Sequence, residues 1–182
     1  MSISYMPKHD SAEVYGRFKL ACGRIKKDCP EPELRAAALK TIYELYPIEQ
    51  WLHIYTDGSA SGINKGLGAG VYSINLQLSF PVGAGCDNYD AEMQAICSAM
   101  EATIECNDNT EIQRLPSRNT KINTRCRRVT EEMCRNMAAI MKKRGRAIVL
   151  QWIPGHVGID GNEQADKLRL GERREREREK RI

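Results

Sequence analysis

The stretch that most constrains the fold of this chain is QWIPGHVGIDGNEQAD, residues 151–166. The four residues before it, 147–150, are apolar and rich in β-forming types, which predicts a short strand. A glycine-rich turn with His156 follows, and Asp160 or Asn162 can cap the next helix, which carries Asp166. A histidine and a carboxylate near one strand end form a candidate functional site. The alternative is a turn with solvated polar side chains.

The composition allows one ordinary globular domain with short appendages. The 182 residues are 41% hydrophobic and 29% charged, so a core is available beneath a highly charged surface. The net charge of +4 at pH 7 permits a polyanionic partner without requiring one. No apolar run approaches the length needed to span a bilayer, so we expect no association with membranes. We also expect the chain to be a monomer.

The seven cysteines are irregularly spaced and include no Cys-x-x-Cys pair. That spacing argues against a structural zinc site. The N-terminus shows no secretory signal. We therefore expect reduced thiols and an intracellular location, in the nucleus or cytoplasm, rather than secretion.

The first half of the chain predicts an appendage followed by a β-hairpin. Residues 1–30 are polar without a persistent period and are expected to be loosely ordered, whereas an apolar stripe predicts a helix over 33–45. A strand is then predicted to end at Asp57. Alternating apolar residues from 71 to 82 predict two paired strands with a turn near 75–77.

Residues 91–105 predict a helix whose apolar stripe includes Ala95, Ile96 and Ala99. Glu92 lies three and four residues before the first two of these, on the core-facing side of the helix. A glutamate on such a face is normally paired or bound to a metal ion. The alternative is an anion that is tolerated in the first turn of a helix.

The stretch from 106 to 127 predicts loops and contains no convincing apolar strand. A helix is predicted over 128–143, with methionines as core filler. After Leu170 the chain alternates arginine with glutamate, which predicts either a disordered tail or a solvated single helix. Strands, then helices, then a strand and a helix predict an α/β fold of the α+β type, with a mixed sheet covered by helices.

Such a sheet can bring three carboxylates, Asp57, Glu92 and Asp166, to one edge of its central strand. Grouped carboxylates repel one another unless cations lie between them, and hard oxygen ligands suit Mg²⁺ or Mn²⁺. Two such ions roughly 4 Å apart can activate water and stabilise the leaving oxygen in phosphodiester hydrolysis. His156 is then placed to transfer a proton or to help product leave.

These motifs resemble the type 1 ribonuclease H domain found in reverse transcriptases of non-long-terminal-repeat retrotransposons. The similar segments are YTDGS at 55–59, GAGV at 68–71, AE at 91–92, and WIPGH with GNEQAD within 152–166. They cover roughly residues 50 to 170, and the last of them is the most specific.

The resemblance implies a ribonuclease H-like five-stranded mixed sheet flanked by helices. It also implies Mg²⁺-dependent endonucleolytic cleavage of the RNA strand of an RNA–DNA hybrid. It carries Asp57, Glu92 and Asp166 over as the metal-binding catalytic carboxylates, and His156 as the mobile catalytic histidine.

Three parts of the chain are expected. Residues 1–49 form an N-terminal appendage with one helix, the remnant of a linker. Residues 50–170 form the ribonuclease H-like domain. Residues 171–182 form a charged tail of low complexity.

One departure from the family pattern is expected to matter. The family has a further catalytic aspartate at the end of a fourth strand, typically in an apolar-Ser-Asp-Ser context, and this sequence has no such motif. Asp108 is the one aspartate between Glu92 and His156, and it is a weak substitute because no strand precedes it. We therefore expect the fourth strand to be missing, the sheet to be damaged, and metal binding and cleavage to be reduced or absent.

Hybrid recognition needs phosphate contacts and readout of 2′-hydroxyls. Candidate phosphate contacts are Lys65, Arg125, Arg127 and Arg128, with solvated surface charges as the alternative. The leading functional hypothesis is a hybrid-specific ribonuclease, or its remnant, from a retroelement. The alternatives are a catalytically inactive module that binds nucleic acid, an interaction protein assembled through the tail, and another nuclease or integrase on the same fold.

Overall fold

The structure is a computed structural model that describes residues 2–6, 14–17, 19–23, 29–59, 67–83, 86–105, 127–144 and 147–179. Within these ranges the elements are, in chain order, β1 (Ser2–Met6), β2 (Val14–Arg17), α1 (Glu31–Leu45), β3 (Leu52–Ser59), β4 (Leu67–Ser73), β5 (Leu76–Val82), α2 (Asn88–Glu105), α3 (Arg127–Lys143), β6 (Ala147–Gln151) and α4 (Asp160–Glu179). One mixed sheet has the order β2-β6-β1-β3-β4-β5. The predicted architecture, a mixed sheet flanked by helices, is confirmed.

The elements predicted from hydrophobic periodicity are present with small shifts at their ends. The shift that matters most is in β3, which continues to Ser59, so that Asp57 lies inside the strand and pairs with Gly70 instead of following the strand end. The hairpin turn between β4 and β5 lies at residues 74–75, slightly earlier than predicted. Asp160 is the first residue of α4, so it does not cap that helix from outside.

The start of the chain is part of the sheet, so the expectation that residues 1–30 are loosely ordered is wrong for the two strands there. β1 lies between β3 and β6 and is antiparallel to both, with Ser2 paired to Tyr55 and to Gln151. β2 pairs in parallel with β6 on its outer side. The place where a missing fourth strand was expected is therefore filled by β1. The described sheet has six strands rather than five.

The position of β1 between β3 and β6 has a simple physical cause. The facing edges of β3 and β6 carry backbone N–H and C=O groups that need hydrogen-bond partners once the sheet is covered on both sides. An antiparallel strand satisfies both edges as well as a parallel one does. The sheet is therefore continuous, and the predicted damage between the first and last strands of the domain is not observed.

The main core lies between one face of the sheet and the helices α2 and α3. Its fully buried side chains include Ile54, Val71, Ile96, Met141 and Ile148. Successive residues of a strand point to opposite faces. Because Ile54 faces this core, Tyr55 and Asp57 face the other side of the sheet, where α4 packs across β3, β4 and β5.

Two further predictions concern the charged tail and the cysteines. Of the two alternatives for the charged tail, the helix is observed as far as Glu179, because α4 continues through it. Cys22, Cys29 and Cys86 are not disulfide-bonded, as expected, but Cys97 is disulfide-bonded and does not fit the expectation of reduced thiols. Among the residues described, no helix combines the length and apolar character that crossing a membrane requires.

Candidate active site

Three carboxylates from three elements lie beside β3, Asp57 and Asp166 on the α4 side and Glu92 on the α2 side, next to Gly58. Asp57 projects from β3, Asp166 from the second turn of α4, and Glu92 from the first turns of α2. Arg169 joins the first two, because its Nε donates to Asp57 Oδ2 at 2.5 Å and to Asp166 Oδ1 at 3.2 Å. A second ion pair runs from Arg169 Nη2 to the same Asp166 oxygen. The name carboxylate cluster is used here for the three carboxylates, Asp57, Glu92 and Asp166, together with Arg169.

Glu92 is the member of the cluster with an unsatisfied oxygen. Its Oε2 is buried and has no hydrogen-bond partner among the described residues. Burial raises the pKa of Glu92, and the charge on Asp57 adds to the increase. A buried carboxylate oxygen without a donor requires an explanation, and a role as ligand to a bound cation is one of the common ones. The oxygen therefore fits a ligand for a divalent cation.

Asp57 also holds its proton more tightly than an ordinary aspartate. Burial is the main cause of its raised pKa, the Arg169 guanidinium opposes that effect, and the charge on Asp166 reinforces it. Two half-buried carboxylates that share one arginine are not fully compensated, because one positive charge faces two negative ones. A divalent cation would complete this balance.

Glycines let the helices approach the strands closely enough for these side chains to meet. A Cβ on Gly58 would overlap the backbone of Ala91 and Glu92, so the absence of a side chain lets α2 bring Glu92 beside β3. A Cβ on Gly70, the pairing partner of Asp57, would overlap Ala165 O and lie 2.8 Å from Arg169 N. Close backbone approach therefore requires glycine at both positions.

The turn that carries His156 is fixed at both ends by apolar contacts with α1. Residues 152–159, here the anchored loop, bury three side chains that pack against Ala38 and Ile42 of α1. These three are Ile153, Val157 and Ile159. Arg35 of the same helix donates from Nε to Gly158 O at 3.0 Å. The loop is therefore held by a helix that precedes the domain predicted from sequence.

His156 itself is exposed and has a left-handed backbone, with φ of +55°. Such a conformation is uncommon for a residue other than glycine and is maintained only by its surroundings. One ring nitrogen of His156 and one oxygen each of Glu163 and Asp166 all lie within 4.8 Å of one another. Among the described residues this is the group that could hold a metal ion by proximity, and Asp57 and Glu92 are not in it.

Asp166 thus belongs to two groups of side chains. On one side it shares Arg169 with Asp57, and on the other it lies with His156 and Glu163. Glu163 is further fixed, because its Oε1 accepts a hydrogen bond from Gly158 N at 3.2 Å. Asp166 therefore connects the carboxylate cluster to the anchored loop.

Several residues predicted as functional have no described position. Asp108, Lys65 and Arg125 lie outside the described residues, and the side chains of Arg127 and Arg128 at the start of α3 do too. β1 occupies the place between β3 and β6 and has the sequence SISYM, which contains no carboxylate. The strand that fills the gap therefore does not supply the further aspartate.

Sequence reasoning did not identify Arg169 as part of the site. A weak signal exists, because Arg169 follows Asp166 by three residues and the two therefore share one face of a helix. The contact with Asp57 spans 112 positions in sequence and depends on how α4 packs on β3. That contact follows only from the tertiary structure.

The fold and the cluster define an α/β protein with carboxylates gathered at the centre of a mixed sheet, a donor set suited to divalent cations. Residues 49–171 match the family model for RNase H, and the chain belongs to the RNase H family. This membership implies nucleic acid as the ligand and a general dependence on divalent metal ions. Three described elements, β1, β2 and α1, precede the matched residues.

Proposed function

We propose that this chain is the ribonuclease H domain of a non-long-terminal-repeat retrotransposon reverse transcriptase, and that it hydrolyses the RNA strand of an RNA–DNA hybrid. The proposal includes Mg²⁺ or Mn²⁺ as the cofactor, in a two-ion site, and a reduced rate. The observation that carries it is the meeting of Asp57 and Asp166 at Arg169, with Glu92 beside the same strand at Gly58, in an RNase H family fold.

Each side chain has a role that its surroundings support. Asp57, Asp166 and Glu92 would hold a divalent cation through their carboxylates, and Glu92 Oε2 has no hydrogen-bond partner among the described residues. A bound cation of this kind supplies a Lewis acid and an activated water at neutral pH. His156 is exposed and close to Asp166, where its ring can accept or deliver a proton as substrate and product exchange.

The reduced rate follows from the carboxylate count. The sequence has no apolar-Ser-Asp-Ser motif after α2, and β1 brings no acidic side chain to the sheet. With one ligand fewer, a cation pair is held less firmly, and transition-state charge is less well stabilised.

The test is cleavage of a labelled RNA–DNA hybrid by the full chain in Mg²⁺ or Mn²⁺. We expect slow, metal-dependent cleavage of the RNA strand that Asp57→Asn and Asp166→Asn each reduce about a hundredfold or more. Asp160→Asn, an exposed aspartate of the same helix as Asp166, is the matched control and should retain parent activity. Cleavage that persists in EDTA or in Asp57→Asn would contradict the proposal.

A second candidate is a module that binds hybrid without cutting it. The observations that favour it are the strand β1 without a carboxylate and the arginine that already occupies Asp57 and Asp166. Fluorescence anisotropy with labelled hybrid in EDTA should then show binding that weakens between 50 and 200 mM salt, with no cleavage after metal is added. Absence of binding at low salt would exclude this candidate.

The proposal also includes four basic residues as contacts to the phosphates of the hybrid. Lys65, Arg125, Arg127 and Arg128 would bind the hybrid backbone as point charges. Replacing each by alanine should weaken binding without sequence preference and lower the dependence of affinity on salt. An unchanged salt dependence would remove that residue from the interface.

A further inference from the structure

We propose that Arg169 is a built-in cation, which holds the carboxylate cluster together without metal, and that a divalent cation must displace its guanidinium from Asp57 and Asp166 in order to bind. The inference rests on the proposed function in one respect, namely that the metal site uses these two carboxylates. It goes beyond that function because it identifies a side chain of the protein itself, Arg169, as a competitor of the metal ion for the site.

The contacts of Arg169 are those of a specific bound group. Its Nε and Nη2 reach two different carboxylates, and its Nη1 donates to Ser59 Oγ. The Arg169 side chain is 12% exposed, and those of Asp57 and Asp166 are 22% and 15% exposed. A planar guanidinium with fixed donors suits such a partly buried arrangement better than a lysine would.

The fold brings Arg169 to this position by contacts that do not involve its charge. A Cβ on Gly68, the pairing partner of Ser59, would lie 2.7 Å from Arg169 O. On the neighbouring strand, Ser79 Oγ donates to Leu168 O at 2.5 Å. The backbone of α4 at residues 168–169 is therefore seated directly on β4 and β5, and Arg169 can reach Asp57 from there.

Charge explains why this arginine matters for metal binding. Two close, partly buried carboxylates repel each other unless a cation lies between them. Arg169 supplies that cation, so the cluster is assembled before any metal arrives. A divalent ion held between Asp57 and Asp166 would occupy the space where the guanidinium now bonds Asp57 Oδ2 and Asp166 Oδ1, while Glu92 Oε2 has no hydrogen-bond partner among the described residues. The arginine-bound and metal-bound states therefore exclude each other, and the apparent metal affinity is lowered by the population of the first.

The direct test is Mn²⁺ binding to the full chain, measured by isothermal titration calorimetry, for the parent and for Arg169→Gln. Glutamine removes the positive charge but retains an amide donor. We expect Arg169→Gln to bind Mn²⁺ at least tenfold more tightly than the parent. Lys167→Gln is the matched control, because Lys167 is an exposed cation adjacent to Asp166 on the same helix and its loss changes net charge equally. It should bind Mn²⁺ within about threefold of the parent, the size of a screened surface effect.

Affinity in Arg169→Gln that equals or falls below that of Lys167→Gln would overturn the inference, since the guanidinium would then not compete with metal. Thermal unfolding gives a second readout. In EDTA the melting temperature of Arg169→Gln should fall below that of Lys167→Gln, and saturating Mg²⁺ should raise it more than it raises the parent. An equal Mg²⁺ response in the two proteins would count against the proposal.

If Arg169→Gln does not fold in EDTA, a measurement on the parent chain tests the same proposal. The Arg169 Nε–H signal in the ¹⁵N spectrum should be protected from solvent exchange in EDTA and should lose that protection as Mg²⁺ is added. Protection that is absent in EDTA, or that persists at saturating Mg²⁺, would overturn the proposal.

These readouts separate the inference from the proposed function. Tighter Mn²⁺ binding by Arg169→Gln without any hybrid cleavage would support the built-in cation while refuting the nuclease. Metal-dependent cleavage by the parent, with Mn²⁺ affinity insensitive to Arg169→Gln, would support the nuclease and refute the inference.

Discussion

The anchored loop and the carboxylate cluster lie side by side and share Asp166, but they are held in different ways. The loop is fixed by burial of Ile153, Val157 and Ile159 against α1, with one backbone contact from Arg35. The cluster is fixed by one arginine between two aspartates, on helices that approach the sheet at glycines. The first region depends on apolar packing, which salt and metal scarcely affect, whereas the second depends on charge.

The difference shows which part of the site is open to regulation. Apolar burial gives the His156 turn the same support whether or not a metal is present. The cluster has two alternative cations, the guanidinium and a divalent ion, and one carboxylate oxygen that is satisfied by neither in this structure. Perturbing each region separately should therefore leave the other intact.

The largest effect is expected for Ile42→Ala, which removes a buried side chain of α1 beneath the anchored loop. The loss of burial and the cavity left behind should lower the free energy of unfolding by about 3 kcal/mol. Chemical denaturation measures this, and Mn²⁺ titration under native conditions should show unchanged affinity. The matched control is the neighbouring Tyr43→Ala, whose side chain is 65% exposed and whose loss should cost little. Weaker metal binding in Ile42→Ala would show that the two regions are coupled.

The next effect is expected for Gly70→Ala in β4, which perturbs the cluster alone. The new Cβ would overlap Ala165 O, so α4 must move away from β4 and carry Arg169 away from Asp57. We expect a loss of about 2 kcal/mol in stability, typical of overpacking, with altered metal affinity. Gly155→Ala, in the anchored loop, is the control, because no atom lies within 4 Å of its new Cβ. Equal losses in both variants would mean that close helix approach at Gly70 is unimportant.

A smaller effect of opposite sign is expected for Glu92→Gln in the metal-free protein. Burial raises the pKa of Glu92 above its ordinary value of 4.5, so the folded chain holds this proton more tightly than the unfolded chain. The stability contributed by this group is therefore complete below about pH 4.5 and is lost as the pH rises through the raised pKa. At pH 7 the charged form is a cost, and glutamine should raise the free energy of unfolding by about 1 kcal/mol.

Denaturation in EDTA at pH 7 and at pH 4 measures this difference, which should vanish at the lower pH. Glu101→Gln on the same helix is the control for the loss of one negative charge. A stability loss in Glu92→Gln at pH 7 would show that the Glu92 carboxylate is compensated after all. In saturating Mg²⁺ the sign should reverse, because glutamine is the poorer ligand.

The smallest effect is expected for Arg35→Ala, which removes the polar contact between α1 and the anchored loop. The hydrogen bond from its Nε to Gly158 O is exposed, so its loss should cost about 0.5 kcal/mol. Hydrogen exchange should nevertheless be faster at residues 155–158 than in the parent. Lys40→Ala is the control, because Lys40 makes an exposed ion pair with Glu44 on the same helix. Equal exchange rates in the two variants would show that apolar packing alone holds the anchored loop in place.

Hydrophobic periodicity predicted most of the domain because its elements are amphipathic on their own. The alternation at residues 71–82 and the apolar stripe of α2 report burial within one element, which is a local property. The two N-terminal strands were not predicted, although β1 alternates polar and apolar residues over Ser2–Met6. A five-residue alternation is too short to identify a strand, and its pairing depends on one strand about 50 positions away and another about 145 positions away.

By itself, the sequence determined the family and the strand–turn–helix around His156 and Asp166, because these depend on short-range patterns and specific motifs. The tertiary structure alone decided that a strand from the start of the chain lies between β3 and β6, that α1 supports the histidine turn, and that Arg169 lies between Asp57 and Asp166. Contacts of this kind join residues up to about 150 positions apart, and they exist only where the packing of whole elements brings those residues together.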